Sequence, residues 1–394
     1  MGLTFEPLGK YVRLVDERNT NMVTESVLGI NIDKYFMPSV ANVIGTDLSN
    51  YKLLRKGRFA CNPMHVGRDG RLPVSRYTED VPAIVSPAYF MFEIIDENEI
   101  EPEYLMLCFR RPDFDRMCWF RTDASVRGGI TWEDVCALTI PVPPISEQRK
   151  IVHDYQVITD RIELLRKMNE NLEEISQTVF KAYFETFEMF GGVCPDSISV
   201  KSIDSLPIDV TDFVANGSFA SLNENITLYD EEEYAYYVRN TDLKVNDFTK
   251  YVDEDSYNFL SKSTLFGGEV IISNVADVGS VFMCPYLEKP MTLGSNIIML
   301  RSAKNIWSYF MYLYFKYFKG KNQIVEITTG SAQLKFNKTS FRELKILVPD
   351  KDVLQSFNDA VKPIFELVDK YMCDMRYLKQ LSHKFLASIS FKGA

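Results

Sequence analysis

The feature that most constrains the fold of this 394-residue chain is an internal repeat with an offset of 206 positions. The segment IPVPPISEQRKI at residues 140–151 and the segment ILVPDKDVLQSF at residues 346–357 share isoleucine, valine and proline in the same register. Each copy leads directly into a long run with helical periodicity. A chain of this length with such a repeat is predicted to form two similar globular parts rather than one large core.

The two runs that follow the proline segments carry matched apolar positions. Their steps of three and four residues place these side chains along one face of a helix that packs lengthwise against another helix. Two such helices in one chain most simply pack on each other. The positions assigned to this helix pair are Tyr155, Ile158, Ile162, Leu165, Leu172 and Ile175 in the first copy and, 206 residues later, Val361, Ile364, Val368, Tyr371, Leu378 and Leu381 in the second.

Residues that begin and end helices flank both runs. We expect Ser146 to cap the first helix and Gly191-Gly192 to end it. In the second copy Asp350 or Asp352 is the predicted cap. Pro363 falls inside the periodic run, which predicts a kink or a restarted helix at that point.

The repeat also extends backward from the helices into the globular parts. EYLMLCFRR matches FMYLYFK at the same offset, and LRKGRFACN resembles LFGGEVIIS. Short apolar runs between Gly, Pro and Asn turns predict mixed α/β domains. The predicted fold class is therefore α+β, with two mixed α/β domains and two long, mutually packed helices in an internal repeat. The predicted boundaries are 1–144 for the first domain, 145–190 for the first helix, 191–349 for the second domain and 350–390 for the second helix.

Composition excludes several classes of protein. A hydrophobic content of 46% and an aromatic content of 13% are typical of a folded globular chain. No stretch reaches the roughly 18 apolar residues of a membrane span, and MGLTFEPLGK lacks the apolar core of a signal peptide. The seven cysteines are scattered without a C-x-x-C pair, so neither a disulfide framework nor a metal site is indicated. We expect no membrane association and a cytoplasmic location.

The formal net charge of −10 is unevenly distributed along the chain. Two basic clusters contrast with acidic segments such as YDEEEYAYY, and each cluster lies near turn-forming sequence. Such patches suit contacts to DNA phosphates and base edges. The candidate DNA-binding residues are Lys52, Arg55, Lys56, Arg58, Arg68, Arg71 and Arg76 (the 52–76 cluster) and Lys316, Lys319, Lys321, Lys335 and Lys338 (the 316–338 cluster).

Motifs that carry chemistry are not indicated. CNPMH at residues 61–65 is similar to the turn with which adenine methyltransferases hold an exocyclic amine, but His65 replaces the stacking aromatic residue. LFGGEV has adjacent glycines without the spacing of a nucleotide-binding loop. Neither His153 nor His383 lies in a nucleophile motif. We interpret the chain as non-catalytic, with no cofactor and no metal of its own.

The order GGITWEDVCALTIPVPPISEQRKI, followed by the helix LLRKMNENLEEISQTVFKAYF and a degenerate second copy, resembles the DNA-specificity subunits of type I restriction-modification systems. The resemblance covers nearly the whole chain, and the proline segment with EQRKI is its most specific part. The second segment departs from the pattern because it lacks PxPP and EQ.

This resemblance implies two target-recognition domains separated by two long antiparallel coiled-coil helices in a pseudo-twofold repeat. Each domain reads one half of a split site in double-stranded DNA. It further implies that the helix pair sets the spacing and docks two methyltransferase (modification) subunits, which bind S-adenosylmethionine. Restriction subunits would join through the complex. Two alternatives remain open at this stage, an acidic DNA mimic and a coiled-coil scaffold without DNA recognition.

Overall fold

The computed structural model describes residues 4–40, 44–64, 66–122 and 128–389. The chain divides into two compact units. The first unit comprises Met1–Ile162 and Leu378–Ala394, and the second comprises Glu163–Tyr377. Both boundaries fall inside long helices, so each unit contains part of both helices.

The first unit contains short strands and short helices that precede the first long helix. Its strands are β1 (Phe5–Pro7), β2 (Val12–Leu14), β3 (Leu28–Ile30), β4 (Phe36–Pro38), β5 (Lys52–Leu54), β6 (Phe59–Cys61), β7 (Val74–Arg76), β8 (Ala83–Val85), β9 (Phe90–Ile94) and β10 (Thr139–Pro141). Its helices are α1 (Val66–Asp69), α2 (Pro102–Arg110), α3 (Pro112–Phe120) and α4 (Trp132–Cys136), and the long helix α5 (Ile145–Phe184) begins in this unit.

The second unit repeats this organisation with additional strands. Its strands are β11 (Ile198–Ser202), β12 (Ile208–Asp212), β13 (Leu228–Tyr229), β14 (Ala235–Val238), β15 (Tyr251–Val252), β16 (Thr264–Leu265), β17 (Val270–Ser273), β18 (Val281–Met283), β19 (Met291–Leu293), β20 (Ile297–Ser302) and β21 (Lys345–Pro349). Its helices are α6 (Phe219–Asn225), α7 (Asn240–Val245), α8 (Glu254–Phe259), α9 (Ser308–Tyr317), α10 (Lys319–Glu326) and α11 (Lys338–Arg342), followed by the long helix α12 (Lys351–Ser388).

The two units share one sheet topology. Each contains a four-stranded antiparallel sheet, ordered β2-β9-β6-β7 in the first unit and β12-β20-β17-β18 in the second. If the four strands of each sheet are numbered 1 to 4 along the chain, the order across both sheets is 1-4-2-3. In both units the strand before the long helix pairs with the first strand of the unit, as β10 with β1 and β21 with β11. The internal repeat is confirmed, as is the α+β fold class.

In the first unit the hydrophobic core includes one end of each long helix. Ile151 near the start of α5 and Leu386 near the end of α12 are buried in the same apolar cluster. The rings of Tyr155 and Phe385 lie 6.0 Å apart between centroids. The start of α5 therefore packs against the end of α12, which excludes those apolar side chains from water.

The second unit contains the opposite ends of the same helices. Phe180 and Phe184 near the end of α5 pack on Phe357 near the start of α12, with ring centroids 5.8 and 5.0 Å apart. Val361 on α12 is fully buried in the same core. Taken with the first unit, these contacts make α5 and α12 an antiparallel pair.

Several predicted helix ends are corrected. Ser146 lies inside the first turn of α5, so it is not the cap. The helix ends at Phe184, before the predicted Gly191-Gly192 stop, because the chain turns at Phe187, which has a left-handed φ of 53°. In the second copy the amide of Val353 donates to Asp350 Oδ1 at 2.9 Å, which confirms Asp350 as the cap. Pro363 lies within α12 without a restarted helix.

Two residues that were assigned to the packed face of the helix pair are exposed, and they occupy the same position in the two copies of the repeat. Ile175 and Leu381 are each 50% exposed, whereas the adjacent Ser176 and Ser382 are buried. Both exceptions follow the 206-residue offset. The apolar pattern alone favoured the larger side chains, while the structure places the small serines inward. Their hydroxyls donate to the carbonyls of Glu173 and Lys379, at 2.7 and 2.8 Å.

The other assigned positions of the helix pair face inward to different degrees. Buried positions are Ile158, Leu165 and Val361, and half-buried positions are Tyr155, Ile162, Leu172, Ile364, Val368, Tyr371 and Leu378. No helix in the described part of the chain is both long and apolar enough to cross a membrane.

Candidate nucleic-acid interface

Every cation of the 52–76 cluster has a carboxylate partner. Most partners come from other segments of the first unit, where folding brings them beside the cluster. The pairs are Lys52–Asp16 at 3.6 Å, Arg55–Glu17 at 2.8 Å, Lys56–Asp80 at 2.7 Å, Arg58–Glu17 at 2.7 Å, Arg68–Asp69 at 2.6 Å, Arg71–Asp33 at 2.9 Å and Arg76–Glu103 at 2.7 Å. The cluster is therefore much less positive in the folded chain than in the sequence.

Two of these cations illustrate different consequences of pairing. Lys52 is buried, and its ammonium also donates to the carbonyl of Tyr89 at 2.6 Å, so it does not face solvent. Arg55 is an exposed surface residue whose guanidinium donates to Glu17 and holds the pKa of that carboxyl below its ordinary value. Exposed pairs of this kind are worth only about 0–1 kcal/mol, so Arg55 can exchange Glu17 for a phosphate at little cost. A DNA-binding role for these residues stays a prediction.

The 316–338 cluster contains fewer ion pairs than the 52–76 cluster. Lys338 pairs with Asp212 at 2.8 Å. Lys319, Lys321 and Lys335 are exposed, and no carboxylate among the described residues forms an ion pair with them. These three lysines are therefore available to an anionic ligand.

Lys335 lies at the base of a tight loop formed by TTGSAQLK. The amides of Thr329 and Lys335 donate to each other's carbonyls at 2.8 and 2.9 Å. Gly330 has a φ of +104°, and an added Cβ there would lie 2.3 Å from the carbonyl oxygen of Gln333. The loop needs glycine to close, and it presents exposed residues 330–334 to solvent beside the available lysines.

Lys316 has a different environment from the exposed lysines. Its ammonium lies 2.5 Å from Glu173 Oε1 on α5, and the Tyr312 hydroxyl donates to the same oxygen at 2.5 Å. Burial alone would raise the pKa of Glu173, but the Lys316 ammonium and the Tyr312 hydroxyl hold it below its ordinary value. Lys316 thus fixes α9 onto α5, a role that the sequence did not predict.

A buried amide side chain joins each globular part to its long helix. In the first unit Gln148 is fully buried, accepts from the amide of Glu101 and donates to the carbonyl of Glu99, both at 2.9 Å. In the second unit Asn358 donates to the carbonyl of Ile306 at 2.7 Å. Residue 306 lies 206 positions after residue 100, which stands between Glu99 and Glu101. Gln148 and Asn358 therefore bind the same loop of the repeat in the two units. Sequence reasoning missed them because an amide beside charged residues on a helix looks like a surface residue.

The rejected catalytic motifs have structural roles where they are described. His65 lies outside the described residues. In LFGGEV the amides of Phe266 and Gly267 donate to the carboxylate of Glu269 at 2.9 and 2.8 Å, so these donors are not free for a phosphate. In the parts of the chain that the structure describes, no group of three or more His, Cys, Asp and Glu residues could hold a metal ion.

Residues 209–363 match the family model described as "Type I restriction modification DNA specificity domain". The matched residues all lie within the second unit. With the relatives below, the match confirms the resemblance to specificity subunits of type I restriction-modification systems.

Two curated relatives extend the similarity beyond the matched domain. The type I restriction enzyme HindI specificity subunit of Haemophilus influenzae is 21% identical over 85% of this chain and 86% of its own length. The type I restriction enzyme MjaIX specificity subunit of Methanocaldococcus jannaschii is 26% identical over 76% of this chain and 70% of its own. Both alignments span more than one globular part.

A solved structure supports the fold. The S subunit of a type I restriction-modification system from M. genitalium covers 99% of this chain and 96% of its own, with a TM-score of 0.54 and 15% sequence identity. This similarity concerns the arrangement of the elements alone.

Proposed function

We propose that this chain is the sequence-specific DNA-recognition subunit of a type I restriction-modification complex. Each unit reads one half of a two-part target in double-stranded DNA. The chain itself is non-catalytic and holds no cofactor, while S-adenosylmethionine binds the two methyltransferase subunits of the complex. Restriction subunits associate through that complex in the cytoplasm.

The observation that carries this proposal is the DNA specificity domain matched in the second unit, together with the same sheet topology in the first unit. A topology built twice around an antiparallel helix pair suits a target with two halves, as paired reading elements suit spaced half-sites. The buried amides Gln148 and Asn358 support the same function, because a reader that is fixed to its helix loses less entropy on binding.

The net charge of −10 is compatible with local DNA binding. The 52–76 cluster is paired with carboxylates, whereas Lys319, Lys321 and Lys335 carry no such partner among the described residues. Phosphate affinity thus concentrates at a few positions instead of covering the surface, and partner subunits supply the remainder.

We further propose that the length of α5 and α12 sets the unread gap between the two half-targets and that the helix pair docks the methyltransferase subunits. The support is the continuity of both helices, Ile145–Phe184 and Lys351–Ser388. A continuous helix gains about 1.5 Å per residue and has little slack.

The experiment is selection of duplexes from a randomised library by the chain co-purified with its methyltransferase subunits. The expected result is enrichment of two short sequences separated by a gap of fixed length. Recovery of no sequence preference would contradict the proposal and would favour an acidic DNA mimic or a scaffold.

A further inference from the structure

The outward face of α3 in the first unit carries an aromatic pair beside Arg116, and Arg121 follows directly after the last residue of the helix. Arg116, Trp119 and Phe120 follow helical spacing that places them on one side. Phe114 on the opposite side is buried in the core. Phe120 is 78% exposed and Trp119 is 47% exposed. Large apolar side chains that adjoin in water mark an interaction surface more often than single exposed ones do.

The aromatic pair is held in a fixed position. The ring centroids of Trp119 and Phe120 lie 5.2 Å apart at an interplanar angle of 64°. Trp119 Nε1 donates to the carbonyl of Gly67 at 3.1 Å, and the Gly67 amide donates to the carbonyl of Gly128 at 2.9 Å. A Cβ at Gly67 would lie 2.9 Å from the Gly128 Cα, so the platform beneath the tryptophan requires a glycine. A rigid aromatic pair needs little further ordering when it binds.

The arginines beside this pair differ from those of the 52–76 cluster. Arg116 and Arg121 are exposed, and neither forms an ion pair with a carboxylate of the described residues. By contrast, Arg55 and Arg71 each contact an acid, Glu17 or Asp33. A phosphate that approaches α3 meets positive charge that no described carboxylate pairs with, whereas carboxylates already offset the positive charge of the 52–76 cluster.

The second unit carries a related surface at the equivalent helix. Val325 on α10 lies 206 positions after Trp119 and is 68% exposed. Lys321, one turn earlier on the same side of α10, is exposed without an ion pair to a described carboxylate. The Trp119 position thus repeats as an exposed apolar side chain with positive charge nearby, whereas Glu326 and Asn322 occupy the positions equivalent to Phe120 and Arg116.

We propose that the first unit contacts its half of the DNA target through this face of α3. Arg116 and Arg121 bind phosphates, while Trp119 and Phe120 pack against base edges and thymine methyl groups in the groove. Cations on phosphates position a protein on DNA, and apolar contacts with bases add sequence preference. This inference rests on the proposed function and identifies which surface of the first unit performs it.

The test compares variants of the full chain, each assembled with its methyltransferase subunits, on the duplex that the wild type selects. Phe120→Ala and Arg121→Ala are each expected to weaken binding by about tenfold. Arg121→Ala should lower the slope of log affinity against log salt by about 1, whereas Phe120→Ala should leave the slope unchanged and relax base preference in one half of the target. Phe120→Tyr keeps the ring and should retain affinity.

Two matched controls separate this face from others. Phe5→Ala removes an exposed aromatic ring from β1, and Arg13→Ala removes an exposed arginine of β2 that is paired with Glu93, so both should bind close to wild type. Wild-type affinity and preference in both Phe120→Ala and Arg121→Ala would overturn the inference. So would a loss in Arg13→Ala that exceeds the loss in Arg121→Ala. A wild-type complex that selects no sequence would overturn the proposed function instead.

Discussion

The ammonium of Lys316 lies 2.5 Å from Glu173 Oε1, which connects α9 to α5 inside the second unit. The Tyr312 hydroxyl donates to the same carboxylate oxygen. The sequence suggested Lys316 as a DNA contact, but the structure gives it a partner on the helix. This charged contact adds to the apolar packing of Phe310 on α9 against Phe180 and Phe184 on α5.

We predict that Glu173→Gln lowers the free energy of unfolding by about 1–3 kcal/mol, because it removes the charged acceptor of two hydrogen bonds. Denaturant unfolding of the full chain measures this change. Glu174→Gln is the matched control, since Glu174 is exposed on the same helix. An equal change in both variants would contradict the role of Glu173.

The pH dependence of this contribution has a definite sign. The pKa of Glu173 in the folded chain lies below its ordinary value of 4.5. A depressed carboxyl pKa contributes stability above the unfolded value and loses it as pH falls through the folded value. The difference between wild type and Glu173→Gln should therefore persist at neutral pH and shrink below pH 4.5.

Sequence reasoning succeeded where the pattern is local or exactly repeated. The proline segments, the spacing of apolar residues and the 206-residue offset predicted two α/β parts and a helix pair, and the family resemblance predicted that the pair is antiparallel. Of the two predicted caps of the second helix, Asp350 and Asp352, the structure uses Asp350. Sequence reasoning failed where distant segments meet. Nothing near Arg55 in the sequence indicates that Glu17 would lie beside it, and nothing near Lys316 indicates Glu173. The apolar pattern likewise does not indicate that Ser176 is buried in place of Ile175.

The second prediction concerns Gln148, the buried amide that holds the first globular part to α5. Besides its contacts with Glu99 and Glu101, it donates to the carbonyl of Pro143 at 2.8 Å. Gln148→Ala leaves these buried backbone groups without partners and should lower the free energy of unfolding by about 2–3 kcal/mol. Gln156→Ala, at an exposed position of the same helix, should change it by less than about 0.5 kcal/mol. A similar decrease in the free energy of unfolding in both variants would show that the hydrogen bonds of Gln148 do not stabilise the chain.

The third prediction concerns the length of the helices. Insertion of one heptad after Leu165 and another after Tyr371 keeps the apolar faces aligned and adds roughly 10 Å to each helix. This corresponds to about three base pairs. The variant, assembled with its methyltransferase subunits, should prefer the same two half-sequences with a longer unread gap. Methylation mapping in cells reads out the gap.

Controls for the insertion follow from the pairing of α5 with α12. A heptad after Leu165 alone shifts one helix against the other and should reduce stability without yielding a new preferred gap. Retained activity of the double insertion with an unchanged gap would show that the helices do not set the spacing.

The most direct test of the account asks whether each unit reads its own half of the target. We would replace Lys319, Lys321 and Lys335 together with alanine in the full chain, assemble it with its methyltransferase subunits, and select duplexes from a randomised library. Because these lysines lie in the second unit only, and phosphate contacts hold a reader in register on its bases, the account predicts weaker binding and relaxed base preference in one half of the target, with the other half and the gap unchanged. Equal loss of preference in both halves would contradict it.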